Sequence, residues 1–240
     1  MIPEAERARA VSTMFTRIAG RYDLMNSVMT AGRHHAWRRA TARAAAAAPR
    51  GPVLDLATGT GDLAIALRAI DPTRVVVGAD FSLGMLRQAR RKVGIALAAA
   101  DALRLPFADG AFACVVSAFL LRNLVDLDGG LREMARVTRP GGRIVALEIT
   151  RVVVPVWGGI FGLYFRRVVP ALGAMVARDR QAYTYLPASV DRFLTARQLA
   201  EAMERTGLHN VHWRSFGLGT VALHVGAAVT AATSGSGRGR

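Results

Sequence analysis

The chain has almost no cysteine, which excludes a fold held together by disulfide bonds. Cys114 is the only cysteine among the 240 residues, so no disulfide can form within the chain. It lies in the apolar run 112–119, where we expect a buried, unreactive thiol because no nearby residue type would lower its pKa. This usage is compatible with a reducing compartment, and the expected location is the cytoplasm.

A transmembrane-length apolar run and a signal peptide are also missing. Residues 152–165 form an uncharged apolar run of fourteen residues that contains one proline and three glycines, whereas a spanning helix needs about 20 residues. The chain begins Met-Ile-Pro-Glu-Ala-Glu, which is acidic where a signal peptide is basic. We therefore expect neither feature.

Lysine and acidic side chains are scarce. Lys92 is the only lysine, so arginine supplies 31 of the 32 basic side chains, and with 17 acidic residues the formal net charge is +15. Three interpretations of this charge stay open: a solvated basic surface, contact with an anionic membrane at its inner face, and nucleic-acid binding. The first is the simplest, because the arginine-rich and alanine-rich composition is partly what coding bias produces.

Residues 53–149 contain a regular alternation of apolar runs and helical segments. We predict strands at 53–57, 75–80, 95–99, 112–118 and 143–149, with helices at 62–70, 83–92 and 128–137 and a turn at 139–142. This alternation is typical of a parallel sheet covered on both faces and joined by right-handed crossovers. A helix at 196–207 and strands at 210–216 and 219–225 are expected to complete the sheet.

The predicted fold class is α/β, with a doubly wound, seven-stranded, mostly parallel sheet in one domain. We divide the chain into an N-terminal helical cap (1–50), the core of the sheet (51–149), a helical insertion over the active-site face (150–195), a C-terminal helix and strands (196–228), and a tail (229–240). The tail is expected to be disordered because it has nothing to bury.

A glycine turn follows the first predicted strand. Residues 53–62 read Val-Leu-Asp-Leu-Ala-Thr-Gly-Thr-Gly-Asp, and Gly59 and Gly61 allow a sharp turn and a close approach of a ligand. Asp80 ends the next strand, twenty positions after Thr60, where an acid accepts hydrogen bonds from ribose hydroxyls. We interpret this region as half of a nucleoside-binding site.

The turn alone leaves two classes of ligand open. Together with Ala64 it also matches the dinucleotide pattern, so a nicotinamide or flavin enzyme is an alternative. Asp55 favours a different ligand, because a carboxylate near the turn suits cationic groups better than a pyrophosphate. S-adenosylmethionine carries a sulfonium and an ammonium and no phosphate.

Taken together, the motifs resemble those of a known family. Residues 53–62, Gly-Ala-Asp-Phe-Ser at 78–82, Asp-Ala-Leu-Arg-Leu-Pro-Phe at 101–107 and Arg-Pro-Gly-Gly at 139–142 are similar to class I S-adenosylmethionine-dependent methyltransferases. Four further stretches narrow the resemblance to the menaquinone and ubiquinone biosynthesis C-methyltransferases over roughly residues 14–226. These stretches are 15–26, 32–38, 119–123 and 219–224.

The resemblance implies a Rossmann-like core with S-adenosylmethionine as cofactor. Asp80 should bind the ribose hydroxyls, Phe81 should face the adenine, and Asp55 should lie near the methionine ammonium. The full set of expected cofactor positions is Asp55, Gly59, Thr60, Gly61, Asp80, Phe81, Asp101, Ala102 and Ala118. For each aspartate, a helix N-cap or turn role is the alternative.

The resemblance also implies four catalytic residues: Tyr22, His34, Arg122 and Asn123. Methyl transfer to carbon needs a deprotonated, electron-rich ring, and Arg122 is expected to stabilise the phenolate; a surface salt bridge to Asp126 is the alternative. Asn123 would position the same oxygen. His34 is a candidate base because it titrates near neutrality, with a structural histidine as the alternative.

The active-site pocket is expected to be closed by three tyrosines: Tyr22, Tyr183 and Tyr185. Ordinary packing is the alternative for each of them.

The 152–165 run, with Trp157, Phe161 and Tyr164, is followed by Arg166 and Arg167. It resembles an amphipathic surface that receives a polyprenyl tail at a membrane, and a core helix is the alternative.

Two positions depart from the family pattern. Ala113 stands where an aspartate is usual after the phenylalanine of the fourth strand. Ala118 stands where a serine often contacts the cofactor, and the neighbouring Ser117 is expected to point to the other face of its strand.

The function implied is S-adenosylmethionine-dependent C-methylation of a prenylated quinol, with demethylmenaquinol as the leading acceptor. The alternative is methylation of another small aromatic or secondary metabolite. An RNA methyltransferase, a nicotinamide oxidoreductase and a non-catalytic quinone carrier are weaker readings. We expect a quinol partner and peripheral contact with an anionic membrane. We expect neither nucleic-acid binding nor a metal site. The sequence leaves the oligomeric state undecided, and a homodimer is one alternative.

Overall fold

The computed structural model describes residues 4–152, 162–172 and 180–228, which contain one seven-stranded sheet. Its strands are β1 (Val53–Leu56), β2 (Val76–Asp80), β3 (Ala96–Ala99), β4 (Phe112–Ala118), β5 (Thr138–Ile149), β6 (His209–Phe216) and β7 (Val221–Ala227). Their order across the sheet is β3-β2-β1-β4-β5-β7-β6. Only the pairs involving β7 are antiparallel, so the predicted doubly wound, mostly parallel sheet is confirmed.

The strand order reverses beside β1, because β2 and β3 lie on one side of it and β4 and β5 on the other. Ligands of open α/β sheets bind outside the carboxyl ends of the strands at this point. All four residues of β1 are buried, as expected for a central strand covered on both faces. The glycine turn therefore starts from the most enclosed strand of the sheet.

Six helices precede or alternate with the parallel strands. They are α1 (Glu4–Ile18), α2 (Tyr22–Thr30), α3 (Arg33–Ala46), α4 (Asp62–Ile70), α5 (Leu83–Lys92) and α6 (Leu127–Val137). Side-chain caps start two of them: Ser82 accepts a hydrogen bond from the backbone of Met85, and Asp126 accepts one from Gly129. The N-terminal cap thus consists of α1, a short 3₁₀ turn, α2 and α3.

The cap packs on the sheet domain through α1 and α5. A Cβ atom on Gly84 would lie 2.8 Å from the Cα atom of Thr16, so only glycine permits this approach of the two helices. The Thr16 hydroxyl also lies 2.8 Å from that of Ser82, the N-cap residue of α5. These contacts hold α1 against the edge of the ligand-binding face.

Several element boundaries differ by one or two residues from those predicted, and β5 differs most. The turn predicted at 139–142 is a bulge inside β5, because Thr138 and Arg143 pair with Phe112 and Cys114 and the intervening residues loop out. The helix predicted at 196–207 is Ala196–Arg205. Its start is a capping box in which Thr195 and Gln198 exchange hydrogen bonds.

The described part of the predicted insertion is mostly helical. It contains a π-helical turn (Tyr164–Val168), α7 (Val169–Leu172) and α8 (Arg180–Asp191), which includes Tyr183. Trp157 and Phe161 of the 152–165 run and the predicted disordered tail, 229–240, lie outside the described residues. None of the described helices has the length and hydropathy needed to cross a membrane.

Candidate active site

Two adjoining cavities lie beyond the carboxyl ends of β1, β2 and β4. The smaller cavity has a volume of about 300 Å³ and the larger cavity about 640 Å³. Phe15, Tyr22 and Phe119 line both cavities and form a shared wall between them. Tyr22 was a predicted site residue, whereas Phe15 and Phe119 were missed; the signal for them was their position inside the motifs 15–26 and 119–123.

The smaller cavity collects most of the predicted cofactor residues, although they are spread over sixty positions of the chain. Six of the nine line it: Gly59, Asp80, Phe81, Asp101, Ala102 and Ala118. Parallel strands bring these residues together because their carboxyl ends meet at one edge of the sheet.

Asp80 is buried at the base of the smaller cavity. Its Oδ2 atom accepts a hydrogen bond from the backbone N–H of Gly59, and its Oδ1 atom accepts one from the backbone N–H of Ser82, both at 2.8 Å. Burial raises the pKa of this carboxyl group. Each carboxylate oxygen has a second lone pair, so Asp80 can still accept hydrogen bonds from a ligand diol.

Phe81 and Asp101 form the outer part of the smaller cavity. The Phe81 side chain is 46% exposed, which leaves an aromatic face for a planar ring. Asp101 is exposed, and its Oδ1 atom accepts a hydrogen bond from the backbone N–H of Leu103. Asp101 therefore serves as a turn residue in this structure, with its second oxygen available to a ligand.

Ala118 lines the smaller cavity and Ser117 does not. Ser117 is buried, and its hydroxyl has no partner among the described residues. Successive residues of a strand point to opposite faces, so Ser117 does not replace the serine that the family often has at position 118.

Asp55, Thr60 and Gly61 do not line either of the two cavities in the described part of the chain. Asp55 is completely buried; its Oδ2 atom accepts a hydrogen bond from the Thr58 hydroxyl at 2.7 Å, and desolvation raises its pKa to about 7. The Thr60 hydroxyl donates to Asp23 of α2 at 2.5 Å. Their contacts with the methionine part of the cofactor stay predictions.

The larger cavity is mainly apolar and lies between the cap and the insertion. Of the predicted residues, Tyr22, His34, Arg122 and Tyr185 line it. Its other lining residues include Met14, Ile18, Met29, Trp37, Tyr164 and Leu186. A cavity of this size and composition suits an apolar ligand with a ring and a chain.

Arg122 is buried and pairs with a residue that the sequence did not indicate. Its Nη1 atom lies 2.6 Å from Oε1 of Glu148 and donates to the backbone carbonyl of Phe119 at 2.8 Å. The alternative prediction of a salt bridge from Arg122 to Asp126 is wrong, because the Asp126 side chain caps α6. Glu148 is completely buried near the end of β5. Its place in the predicted apolar strand 143–149 indicates burial, but the local sequence does not identify Arg122 as its partner.

Asn123 connects the shared wall to the insertion. Its Nδ2 atom donates to the backbone carbonyl of Phe119 at 3.0 Å, and its Oδ1 atom accepts a hydrogen bond from the Tyr185 hydroxyl at 3.2 Å. Asn123 lines the smaller cavity and Tyr185 the larger one. This pair lies across the boundary between the two cavities.

His34 lines the larger cavity, but both ring nitrogens face protein groups. Nδ1 contacts Nη1 of Arg38, and Nε2 lies 3.1 Å from the Ser27 hydroxyl. Desolvation, followed by the charge of Arg38, lowers the pKa of His34 to about 4. A neutral imidazole whose acceptor nitrogen faces an arginine is poorly placed to take a proton from a ligand.

Comparison with known proteins agrees with this geometry. A model described as the ubiE/COQ5 methyltransferase family matches residues 3–228. A Desulfotalea psychrophila protein named ubiquinone/menaquinone biosynthesis C-methyltransferase is 43% identical over 219 residues, which cover 90% of this chain and 89% of that protein. A Deinococcus radiodurans demethylmenaquinone methyltransferase is 44% identical over 226 residues, which cover 92% and 93%.

Solved structures share the fold at low sequence identity. A Thermotoga maritima methyltransferase, described as a possible histamine N-methyltransferase, superposes with a TM-score of 0.66 at 17% identity and covers 90% of this chain and 98% of its own. At this identity the likeness concerns the fold alone, and it agrees with the doubly wound sheet.

Proposed function

This chain belongs to the ubiE/COQ5 methyltransferase family, and on that premise we propose that it transfers a methyl group to a ring carbon of a prenylated quinol, with demethylmenaquinol as the acceptor. The observation that carries the proposal is the shared wall of Phe15, Tyr22 and Phe119 between a nucleoside-sized cavity and a larger apolar one. Relatives at 43–44% identity over most of their length are named for this chemistry.

The enzyme depends on S-adenosylmethionine, whose sulfonium supplies an electrophilic methyl group. In our proposal Asp80 accepts hydrogen bonds from the ribose hydroxyls, and Phe81, Asp101 and Ala102 surround the adenine. Tyr22, with the rest of the shared wall, faces the sulfonium, which aromatic faces attract. The fit depends on Asp80, whose oxygens keep free lone pairs at the base of the smaller cavity.

Arg122 has the central role in our mechanism. Removing a proton from a quinol hydroxyl places negative charge on the adjacent ring carbon, and the Arg122 guanidinium stabilises the resulting phenolate. Arg122 lines the larger cavity, so its guanidinium can act on a ring oxygen that is bound there. Asn123 and Tyr185 fix the position of this wall.

The larger cavity then aligns the ring carbon with the methyl group and keeps water out. Near-attack geometry requires the two carbons to lie about 3–3.5 Å apart. An apolar lining accommodates the delocalised charges of the phenolate and the sulfonium and leaves little room for water. His34 is not the base in this proposal, because its pKa is lowered to about 4. The hydroxyl proton passes to solvent through the mouth of the cavity. After the methyl group is transferred, the ring carbon loses its hydrogen as a proton and the oxygen takes up a proton, so the products are the methylated aromatic quinol and S-adenosylhomocysteine.

An assay of the purified protein with demethylmenaquinol and methyl-labelled S-adenosylmethionine tests the proposal. We expect labelled menaquinol in which the methyl group is bonded to a ring carbon, as shown by fragmentation in a mass spectrometer. Label on oxygen, or no product from protein that binds S-adenosylhomocysteine, would contradict it. Asp80→Ala is the control, since it should lose cofactor binding.

We further propose that the mouth of the larger cavity contacts an anionic membrane. Several large apolar side chains are exposed on the elements that line this cavity: Leu24, Val28, Leu163, Val168 and Leu218. Arg33 and Arg167 are exposed on the same elements, and the net charge is +15. Such a surface suits anionic lipid and would let a prenyl tail enter from the bilayer.

Co-sedimentation with lipid vesicles tests the membrane contact. The wild type should bind phosphatidylglycerol vesicles more strongly than phosphatidylcholine vesicles. Val28→Ser/Leu218→Ser should bind less while keeping its affinity for S-adenosylhomocysteine. Val75→Ser is the matched control, because Val75 is 64% exposed and lines neither cavity. Equal binding by all three proteins would exclude this surface.

A further inference from the structure

Next to the larger cavity, which His34 lines, side chains from four helices form a closed ring of polar contacts. Helices α2, α3, α4 and α5 supply its members: Asp23, Ser27, His34, Arg38, Asp62 and Lys92. We call this set the polar ring. The mechanism above uses none of these residues to contact a reacting atom.

Lys92 is the centre of the charged half of the polar ring. Its Nζ atom lies 2.6 Å from Oδ2 of Asp23 and 2.6 Å from Oδ1 of Asp62. The Thr60 hydroxyl of the glycine turn is 3.4 Å from the same atom and donates to Oδ1 of Asp23. One ammonium group therefore connects the start of α2 with the glycine turn and the start of α4.

The other half of the polar ring runs through α3 and returns to α2. The Arg38 Nη1 atom lies 3.5 Å from Oδ2 of Asp62 and contacts Nδ1 of His34. The Nε2 atom of His34 lies 3.1 Å from the Ser27 hydroxyl, which donates to the backbone carbonyl of Asp23 at 3.0 Å. With Arg38 donating to Nδ1, the donors from Arg38 through His34 and Ser27 all point towards the Asp23 carbonyl.

Helix-end preferences explain part of this arrangement. Asp23 and Asp62 lie in the first turns of α2 and α4, and Lys92 lies in the last turn of α5. The helix dipole favours each charge at its own helix end. This preference does not explain why the ends of α2, α4 and α5 all meet at the Nζ atom of Lys92. Lys92 is also the only lysine in a chain with 31 arginines.

Helix α2 depends on the polar ring because burial anchors it weakly. Met25 is the only buried residue among its nine. Tyr22 begins α2 next to Asp23 and lines both cavities. At the other end of α2, the Tyr164 hydroxyl donates to the backbone carbonyl of Met29 at 2.8 Å. Tyr22 itself packs edge-on against Phe15, with 6.0 Å between the ring centroids. The contacts of Asp23 and this packing together set the position of Tyr22 relative to the glycine turn.

We infer that Lys92 is a positioning residue for methyl transfer. By holding Asp23 against the glycine turn, it helps to set the position of Tyr22 and hence the alignment of the two cavities across their shared wall. The inference rests on the proposed function, since it concerns the same methyl transfer. A misplacement of about 1 Å costs on the order of 100-fold in rate, so a partial loosening of α2 should lower kcat well before it unfolds the protein.

Three variants of the full chain test this role. Lys92→Met removes the ammonium, Lys92→Arg keeps a cation that reaches both carboxylates, and Arg91→Met removes the same charge from an exposed neighbour outside the polar ring. We expect Lys92→Met to lower kcat with demethylmenaquinol about tenfold while the Kd for S-adenosylhomocysteine changes less than about threefold. Lys92→Arg should recover at least half of kcat, and Arg91→Met should match the wild type.

Hydrogen exchange of the α2 amides gives a readout that needs no acceptor. Exchange over residues 22–30 should be faster in Lys92→Met than in the wild type and Arg91→Met, with the sheet amides unchanged. The inference would be overturned if kcat of Lys92→Met lay within twofold of the wild-type value. It would also be overturned if the fall in kcat were no larger than the fall in the fraction of folded protein. If the wild type does not methylate demethylmenaquinol, the proposed function fails, and unchanged α2 exchange would separately reject the positioning role.

Discussion

The Nη1 atom of Arg122 lies 2.6 Å from Oε1 of Glu148, and their side chains are only 6% and 0% exposed. The backbone N–H of Arg122 also donates to the other oxygen of Glu148, at 3.3 Å. Glu148 therefore fixes both the side chain and the backbone of Arg122 at the wall of the larger cavity. A charge pair at this depth is strongly coupled, because neither partner can be solvated alone.

Arg122→Met should destabilise the protein and abolish methyl transfer. It leaves the Glu148 carboxylate buried without its partner, and breaking a buried pair in this way costs about 3–5 kcal/mol. Urea unfolding followed by circular dichroism measures this loss. Arg122→Met/Glu148→Leu removes both charges and should regain most of the stability without regaining activity. Recovery of activity in the double variant would show that Arg122 has no catalytic role.

Asp55 should make the protein less stable as the pH rises. Burial raises its pKa from 3.8 to about 7, so the native state holds a proton that the unfolded state releases. Its contribution is fully present below pH 4 and is lost as the pH rises towards 7, by at most about 4 kcal/mol. The free energy of unfolding of the wild type minus that of Asp55→Asn should therefore fall between pH 4 and 7. A difference that is constant with pH would contradict the raised pKa.

His34 should make the protein more stable as the pH rises, which is the opposite of the effect of Asp55. Its pKa falls from 6.5 to about 4 in the folded protein, so the unfolded state takes up the proton first. The stability it contributes is present above pH 6.5 and is lost as the pH falls towards 4. The free energy of unfolding of the wild type minus that of His34→Gln should therefore fall as the pH is lowered from 6.5 to 4. Because His34 is not the base, kcat of the wild type and kcat of His34→Gln should depend on pH in the same way near pH 6.5.

Gly61 should tolerate alanine less well than Gly59. A Cβ atom at Gly61 would lie 2.6 Å from Cγ1 of Val93, and its φ is +89°; at Gly59 the nearest atom is 4.0 Å away and φ is +57°. We expect Gly61→Ala to cost about 2–4 kcal/mol, from overpacking and backbone strain, and Gly59→Ala about 1–2 kcal/mol. Thermal unfolding of both variants measures the difference. A positive coupling with Val93→Ala in a double-mutant cycle would confirm the overlap, whereas equal losses would exclude it.

Much of the lining of the smaller cavity was predictable from the sequence. Asp80, Phe81 and Asp101 follow strands whose apolar runs are continuous, and the ends of parallel strands meet at one edge. The partner of Arg122 was not predictable, because Glu148 is 26 positions away and its burial follows from the pairing of β5 with β4 and β7. His34 was expected as a candidate base because its residue type titrates near neutrality. Its spacing of four from Arg38 places the two side chains on one face of α3, but the desolvation that lowers its pKa most depends on tertiary packing.

The sequence by itself determined the alternation of strands and helices, the glycine turn and the residues at the strand ends, because these depend on local periodicity and on backbone conformation. Only the tertiary structure decided which side chains meet: Arg122 with Glu148, Thr60 with Asp23, and Lys92 with two carboxylates from different helices. Such contacts depend on how helices and strands pack across long stretches of chain. Desolvation has the same origin, and it sets the pKa of Asp55 and His34 far from the values that their residue types suggest.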